Sequence, residues 1–253
     1  MSLAAIGRRA YENKKAVSTG APCAVCPLNN MLLAKIPFLR ERASNRILFS
    51  REYTMCGRFS LAPQSPKIQA MLEETARIQN NPPVKTGEIF PTNIVPVLRR
   101  QDGRLQARAM TWGFPRRDGK GVVFNARVET APVKPLFRKA LRENPVVVPA
   151  TGFYEWKAIP GRRKKDKYLF RLPGADLVYL AGFAKSLDEG AWKADGVSEC
   201  FVILTTDANP YMMDYHARMP ILLLSEDREA WLNGEKASRF LERDPLELEA
   251  ELV

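Results

Sequence analysis

The sequence predicts an α+β fold: one domain built on a mostly antiparallel sheet with helices around it. Three observations carry this. Short β-like runs recur between turn signals through the middle of the chain. Helical periodicity is confined to a few stretches. No internal repeat or low-complexity tract is present.

Residues 1–54 lack sustained periodicity and are expected to form a poorly structured extension. Their apolar run at 31–38 is short and is broken by Lys35 and Pro37. Met55-Cys56-Gly57-Arg58-Phe59 opens the domain, predicted to run from 55 to 245 with a tail at 246–253. Ser65-Pro66 is a helix start, with Ile68, Met71, Leu72 and Ala76 following at helical spacing. Runs 93–100 and 105–112 flank Gln101-Asp102-Gly103-Arg104, a strong hairpin signal. Residues 133–143 read as a short helix. Runs 145–150, 153–157, 168–172, 177–184 and 201–205 read as strands. A basic loop at 157–167 carries Arg162, Arg163, Lys164 and Lys165 at its tip. Helices at 225–232 and 235–242 end the domain.

The 253 residues are 45% hydrophobic and 26% charged, which excludes intrinsic disorder, collagen and disulfide scaffolds. Lys and Arg number 39 against 28 acidic residues, a net +11. Such a surplus suggests an anionic partner, with nucleic acid first. Residues 1–54 hold nine basic and three acidic residues, so the main body is only mildly basic. Four cysteines are too few for a disulfide framework and favour a reducing cytosol. The uncharged run 16–34 carries Gly20, Pro22, Pro27, Asn29 and Asn30, which spoil it as a span or signal peptide. The expectation is a cytoplasmic protein with no membrane partner.

Cys23-Ala24-Val25-Cys26 is a CxxC without a second pair at zinc spacing, so no metal is expected. Cys56 is either a buried structural thiol or, if it becomes the first residue, a special nucleophile. An N-terminal Cys places an amine and a thiol two carbons apart. Together they capture an aldehyde: the amine forms an imine and the thiolate closes a thiazolidine. The free α-amine titrates near ~7.7, so a useful fraction is nucleophilic at neutral pH. His216, the single histidine, stands between charged residues after a strand end, where a structural role or an acid–base or phosphate-binding one fits. Glu155 lies between aromatics; if it faces inward it is a candidate general acid–base. Asn125-Ala126-Arg127 offers an amide for a carbonyl and a cation for a phosphate, or simply a turn.

Five motifs occur in order: Cys56-Gly57-Arg58-Phe59; Asn125-Ala126-Arg127-x-Glu129-Thr130; Gly152-Phe153-Tyr154-Glu155-Trp156; Thr205-Thr206-x-Ala208-Asn209; and His216-x-Arg218-Met219-Pro220. Trp112-Gly113 and Ala181-Gly182-Phe183 accompany them. The pattern resembles the SRAP family, the SOS-response-associated peptidases or abasic-site processing proteins, from residue 55 to about 235. The resemblance implies the SRAP fold, with a barrel-like sheet flanked by helices. It implies a monomer that binds single-stranded DNA and crosslinks to an abasic-site aldehyde as a thiazolidine, shielding the lesion in the DNA damage (SOS) response. Cys56 would be the nucleophile, Glu155 the general acid–base, and Asn125 the group positioning amine or aldehyde. His216 would polarise the sugar oxygen. Arg58, Arg127, Thr206 and Arg218 would hold phosphates. Trp112 and Phe153 would support stacking or pack the site. The family's peptidase label reflects a proposed self-cleavage by the same Cys, alongside lyase-like, largely single-turnover chemistry. No cofactor is implied, and DNA-bound protein would sit with the nucleoid.

The family chemistry needs Cys at the N-terminus, and here 54 residues precede Met55. Two expectations compete: initiation at Met55, or removal of a propeptide before Cys56. Two other functions remain open: a cysteine peptidase using an internal Cys56, and a passive single-stranded DNA-binding module.

Overall fold

Pro66 begins a helix where the Ser-Pro pair predicts one. The computed structural model describes residues 57–187 and 196–253; the extension 1–54, the Cys23/Cys26 pair and Cys56 lie outside the described residues. β1 (Phe59–Leu61) leads into α1 (Pro66–Gln79) and then β2 (Gly87–Ile89). The Ser65 carbonyl accepts the Gln69 N–H at 2.9 Å, while the Ser65 hydroxyl makes no capping bond. Asn80, with φ 56°, ends the helix in the left-handed region. The Gln79 side chain donates to the carbonyls of Ala109 and Gly196 and accepts the Ala109 N–H at 2.6 Å. These bonds fix the helix end to the sheet.

β3 (Ile94–Gln101) and β4 (Arg104–Trp112) form the expected hairpin. Asp102 and Gly103 both have positive φ, 50° and 74°, the conformation that matches the twist of the flanking strands. β5 (Phe114–Pro115) and β6 (Val122–Val123) pair with each other, and β7 (Asn125–Arg127) follows. α2 (Arg138–Glu143) is shorter than the sequence predicts. Pro135 biases Lys134 away from the helical region, so the helix starts only after it.

β8 (Pro145–Ala150), β9 (Gly152–Lys157), β10 (Asp166–Arg171), β11 (Val178–Ser186) and β12 (Glu199–Asp207) supply the middle of the fold. β13 (Arg218–Pro220), β14 (Leu222–Leu223), α3 (Asp227–Leu232), α4 (Ser238–Leu241) and β15 (Glu249–Leu252) complete it. The expected tail at 246–253 therefore contains an edge strand. β15 satisfies the open backbone edge of β10, and the Val253 N–H donates to the Lys167 carbonyl at 2.9 Å.

Five strands form one sheet in the order β15-β10-β9-β1-β2. The larger sheet runs β13-β12-β4-β3-β8-β11-β14, with β7 beside β12. Pairing is antiparallel except where β12 meets β4 and β7. β11 also pairs with β12, so the larger sheet curls back on itself. It does not close into a continuous barrel: β3 meets β8 through the single pair Leu98↔Val147, and β12 meets β4 through two pairs. The core joins the two sheets, with the rings of Phe59 and Trp112 5.0 Å apart. Among the described residues no helix is long and apolar enough to cross a membrane.

Candidate functional site

β1 sits between β2 and β9, with Phe59 opposite Phe153. The Tyr154 N–H donates to the Arg58 carbonyl at 2.9 Å, which carries the register past the ladder. Gly57, the neighbour of Cys56 in sequence, directly precedes Arg58. Strand alternation then decides which way Glu155 points. Phe153 is fully buried on the inner face, so Glu155, two residues on, is inward as well and only 2% exposed. A carboxyl held there works in a low-dielectric setting, where it acts strongly on any charge developing nearby.

Asn125 reaches the same region from the other sheet. β7 runs parallel to β12, pairing Asn125 with Ile203. The preceding residue, Phe124, bounds Gly57: a Cβ on Gly57 would meet the Phe124 ring at 3.8 Å, an ordinary contact. The Trp112 indole N–H donates to the Phe124 carbonyl at 3.0 Å and fixes the start of β7. Trp112 and Phe153 are both fully buried. Trp112 packs on Phe59, Phe124 and Phe201, and Phe153 stacks on Phe170 at 5.4 Å. Both rings form the floor of the site, and neither presents a face for a base. Arg127 lies two residues beyond Asn125 on the same strand face and is exposed.

His216 follows the loop after β12. Its neighbour Tyr215 packs edge-on against Tyr168, 4.8 Å between centroids, and Tyr168 is the cross-strand partner of Glu155. This links the histidine segment to the Glu155 row. His216 Nδ1 lies 3.1 Å from both the N–H and the carbonyl oxygen of Arg218. Burial pushes the imidazole below the ordinary histidine range. The positive charges of Lys165 and Arg218 push the same way, against the Arg218 backbone contact. The Arg218 main chain can serve Nδ1 in either state: its N–H donates to a neutral ring, and its carbonyl accepts from a protonated one.

The Arg218 guanidinium is gripped by carboxylates. It donates to both oxygens of Glu129 at 2.7 and 3.0 Å, to Asp207 at 2.6 Å and to the Thr205 carbonyl at 2.9 Å. Its side chain is 11% exposed. Thr206 lies apart from the Glu155 row. Its β12 neighbour Thr205 is fully buried, and Thr206 lines a cleft of about 240 Å³ with Asn209, Phe240 and Leu246.

Arg58 faces the opposite side of the smaller sheet, where the motif residues Tyr154 and Trp156 meet Glu88, Phe90 and Lys167, which no motif singled out. It pairs with Glu88 at 2.9 Å, and its guanidinium lies 4.3 Å from the Phe90 ring and 5.0 Å from Trp156. Lys167 also pairs with Glu88, at 2.8 Å, and sits 4.1 Å from the Tyr154 ring. Burial alone would raise the Glu88 carboxyl, but hydrogen bonds from Lys167 and Arg58 outweigh it and hold Glu88 below the usual range. Alternation along β9 was the available signal: Tyr154 and Trp156 must share the face opposite Phe153 and Glu155. Nothing in the sequence brings Phe90 or Glu88 there.

A family model described as "SOS response associated peptidase (SRAP)" matches residues 55–250. The abasic site processing protein YedK of Escherichia coli is 29% identical over 185 residues, covering 72% of this chain and 81% of YedK. The abasic site processing protein YoqW of Bacillus subtilis is 27% identical over 186 residues, covering 71% of this chain and 80% of YoqW. A crystal structure of a Bacteroides thetaiotaomicron protein superposes with a TM-score of 0.62 at 22% identity, covering 78% of this chain and 92% of that one, which shows the shared fold.

Proposed function

Because the chain belongs to the SRAP family of SOS response associated peptidases, we propose that it processes abasic sites in single-stranded DNA by capturing the lesion's aldehyde on Cys56. The names of its curated relatives, abasic site processing proteins, support the lesion as substrate. The observation that carries the chemistry is Glu155, 2% exposed on the strand that pairs with the one following Cys56.

With Cys56 as first residue, its α-amine bonds to C1′ of the open-chain sugar. The carbonyl oxygen takes up protons and leaves as water, giving the imine. The thiolate then adds to the same carbon. The C=N electron pair returns to nitrogen, which takes a proton, and the five-membered thiazolidine is complete. Glu155 moves protons between the amine and the departing oxygen. His216, neutral near pH 7, takes or returns a proton at the sugar oxygen. Asn125 orients the aldehyde. Arg127 offers an exposed cation to a flanking phosphate. Arg58 and Lys167, set among Phe90, Tyr154 and Trp156, offer a cationic and aromatic face to adjoining single-stranded nucleotides. Arg218 acts through His216, since its guanidinium is occupied by Glu129 and Asp207.

The test uses protein beginning at Cys56, mixed without reductant with an oligonucleotide carrying one abasic site. A heat-stable shifted band on a denaturing gel is expected. It is lost in Cys56→Ala and after acetylation of the Cys56 amine. No band from folded protein sinks the covalent reading. A cleaved peptide product that survives acetylation points instead to a thiol-only peptidase.

A further inference from the structure

A second cavity, of about 520 Å³, opens between α2, the loop after β7 and the α3–α4 segment. Its size is that of a small-molecule site. Its lining is mainly hydrocarbon: it includes Val128, Leu141 and Leu241, with Leu204 and Trp231 almost fully buried beneath them. Trp231 is already satisfied, its indole N–H donating to the carbonyls of Val146 at 2.9 Å and Gly182 at 3.2 Å. It therefore turns only ring carbon toward the cavity. Leu204 lies in β12 and is fully buried, so the floor is part of the rigid sheet.

The rim decides what an occupant carries. It bears two carboxylates and two cations: Glu129, Glu235, Arg142 and Lys236. Both carboxylates are engaged with guanidinium groups, Glu129 with Arg218 at 2.7 Å and Glu235 with Arg239 at 3.1 Å. Among the described residues Arg142 pairs with its exposed sequence neighbour Glu143, a contact open to solvent and screened by it. Lys236 is exposed and makes no close ion pair among the described residues, although its backbone N–H and its charge help lower the neighbouring Glu235 carboxyl. A cationic ligand would have to compete with arginines for its carboxylate. An anionic one meets an ammonium whose charge acts on Glu235 but which forms no close ion pair among the described residues.

We propose that this cavity binds an amphiphile with an apolar body and a single carboxylate, the body resting on Leu141 and Leu241 and the carboxylate meeting Lys236. The site is separate from the Glu155 row and does not depend on the function proposed above.

Octanoate is the probe, titrated calorimetrically into the full chain, with octanol and octylamine as comparators. One octanoate per chain is expected, with both comparators at least about tenfold weaker because neither brings Lys236 an opposite charge. Lys236→Glu, an exposed change, should weaken octanoate by about tenfold and leave octanol unchanged. Ala237→Trp should fill the cavity and abolish binding of all three. Absence of octanoate binding overturns the proposal. So does octanol or octylamine matching octanoate, or an octanoate affinity that Lys236→Glu leaves unchanged. Lys236→Glu keeps the test decisive if Ala237→Trp does not fold.

Discussion

The backbone N–H of Arg218 lies 3.1 Å from Nδ1 of His216. The side chain of the same arginine is anchored by Glu129, 89 residues earlier in the chain. The imidazole therefore meets the main chain of a residue whose side chain is held by an ion pair, and loosening that pair is expected to disturb the imidazole.

That dependence is testable by loosening the anchor. The Arg218 side chain is 11% exposed and Glu129 46%, so the pair is partly screened. Glu129→Ala should cost about 1 kcal/mol in urea unfolding and slow aldehyde capture about tenfold. Asp207, 85% exposed, touches the same guanidinium. Asp207→Ala should cost no more than about 0.5 kcal/mol. Equal losses from the two variants would contradict an anchoring role specific to Glu129.

The chain has one histidine, so a single imidazole Cε1–H signal reports it without assignment. Burial lowers the folded-state value below the ordinary one. In the window between the two, the unfolded chain binds the proton and the folded protein does not. The neutral form thus contributes its full share of stability above about pH 6.5, and that share is lost as pH falls toward the folded value. Proton NMR should show a midpoint below about 6.5. The fall in melting temperature between pH 7.5 and pH 5 should be smaller in His216→Gln. A midpoint at or above the unfolded value would refute the burial argument.

Trp156 shares its sheet face with Arg58 and Lys167, opposite the face that carries Glu155. Trp156→Ala should weaken binding to intact single-stranded DNA by about 1–3 kcal/mol, the worth of one stacked base. Arg58→Ala should also flatten the salt dependence of binding. Unchanged affinity in both, measured by fluorescence anisotropy, would remove this face from the nucleic-acid surface.

Gly152 begins β9, and its size rather than its φ is what the fold needs. A Cβ there would come within 2.6 Å of Leu169 Cδ1 and 2.7 Å of the Phe170 carbonyl oxygen. The leucine can turn aside, but the backbone oxygen belongs to the ladder with β9. Gly152→Ala should cost about 1–3 kcal/mol, seen as a melting temperature several degrees lower. A wild-type melt would show that β10 yields more easily than its pairing suggests.

Local chemistry was legible where one residue's own conformation decides the structure. Asp102-Gly103 tolerates positive φ and makes the β3–β4 hairpin; Pro66 opens α1. The ordered motifs named Glu155, Asn125 and His216 as a candidate set through the family resemblance. Two local readings needed correction, the start of α2 after Pro135 and the strand within 246–253. The second depends on an edge of β10 that the residues of β15 do not reveal.

Sequence by itself determined the α+β class, the turns and the motif residues, because backbone preference and two-residue alternation act between neighbours. Tertiary structure alone decided which partners those residues meet. Arg218 carries the same charge as Arg127, yet one is locked between Glu129 and Asp207 and the other is exposed. Trp112 and Trp156 are both aromatic, yet Trp112 fills the core and Trp156 lies beside Arg58. Charge and ring alone specify neither outcome. Both follow from how two sheets pack, and that packing joins residues separated by most of the chain.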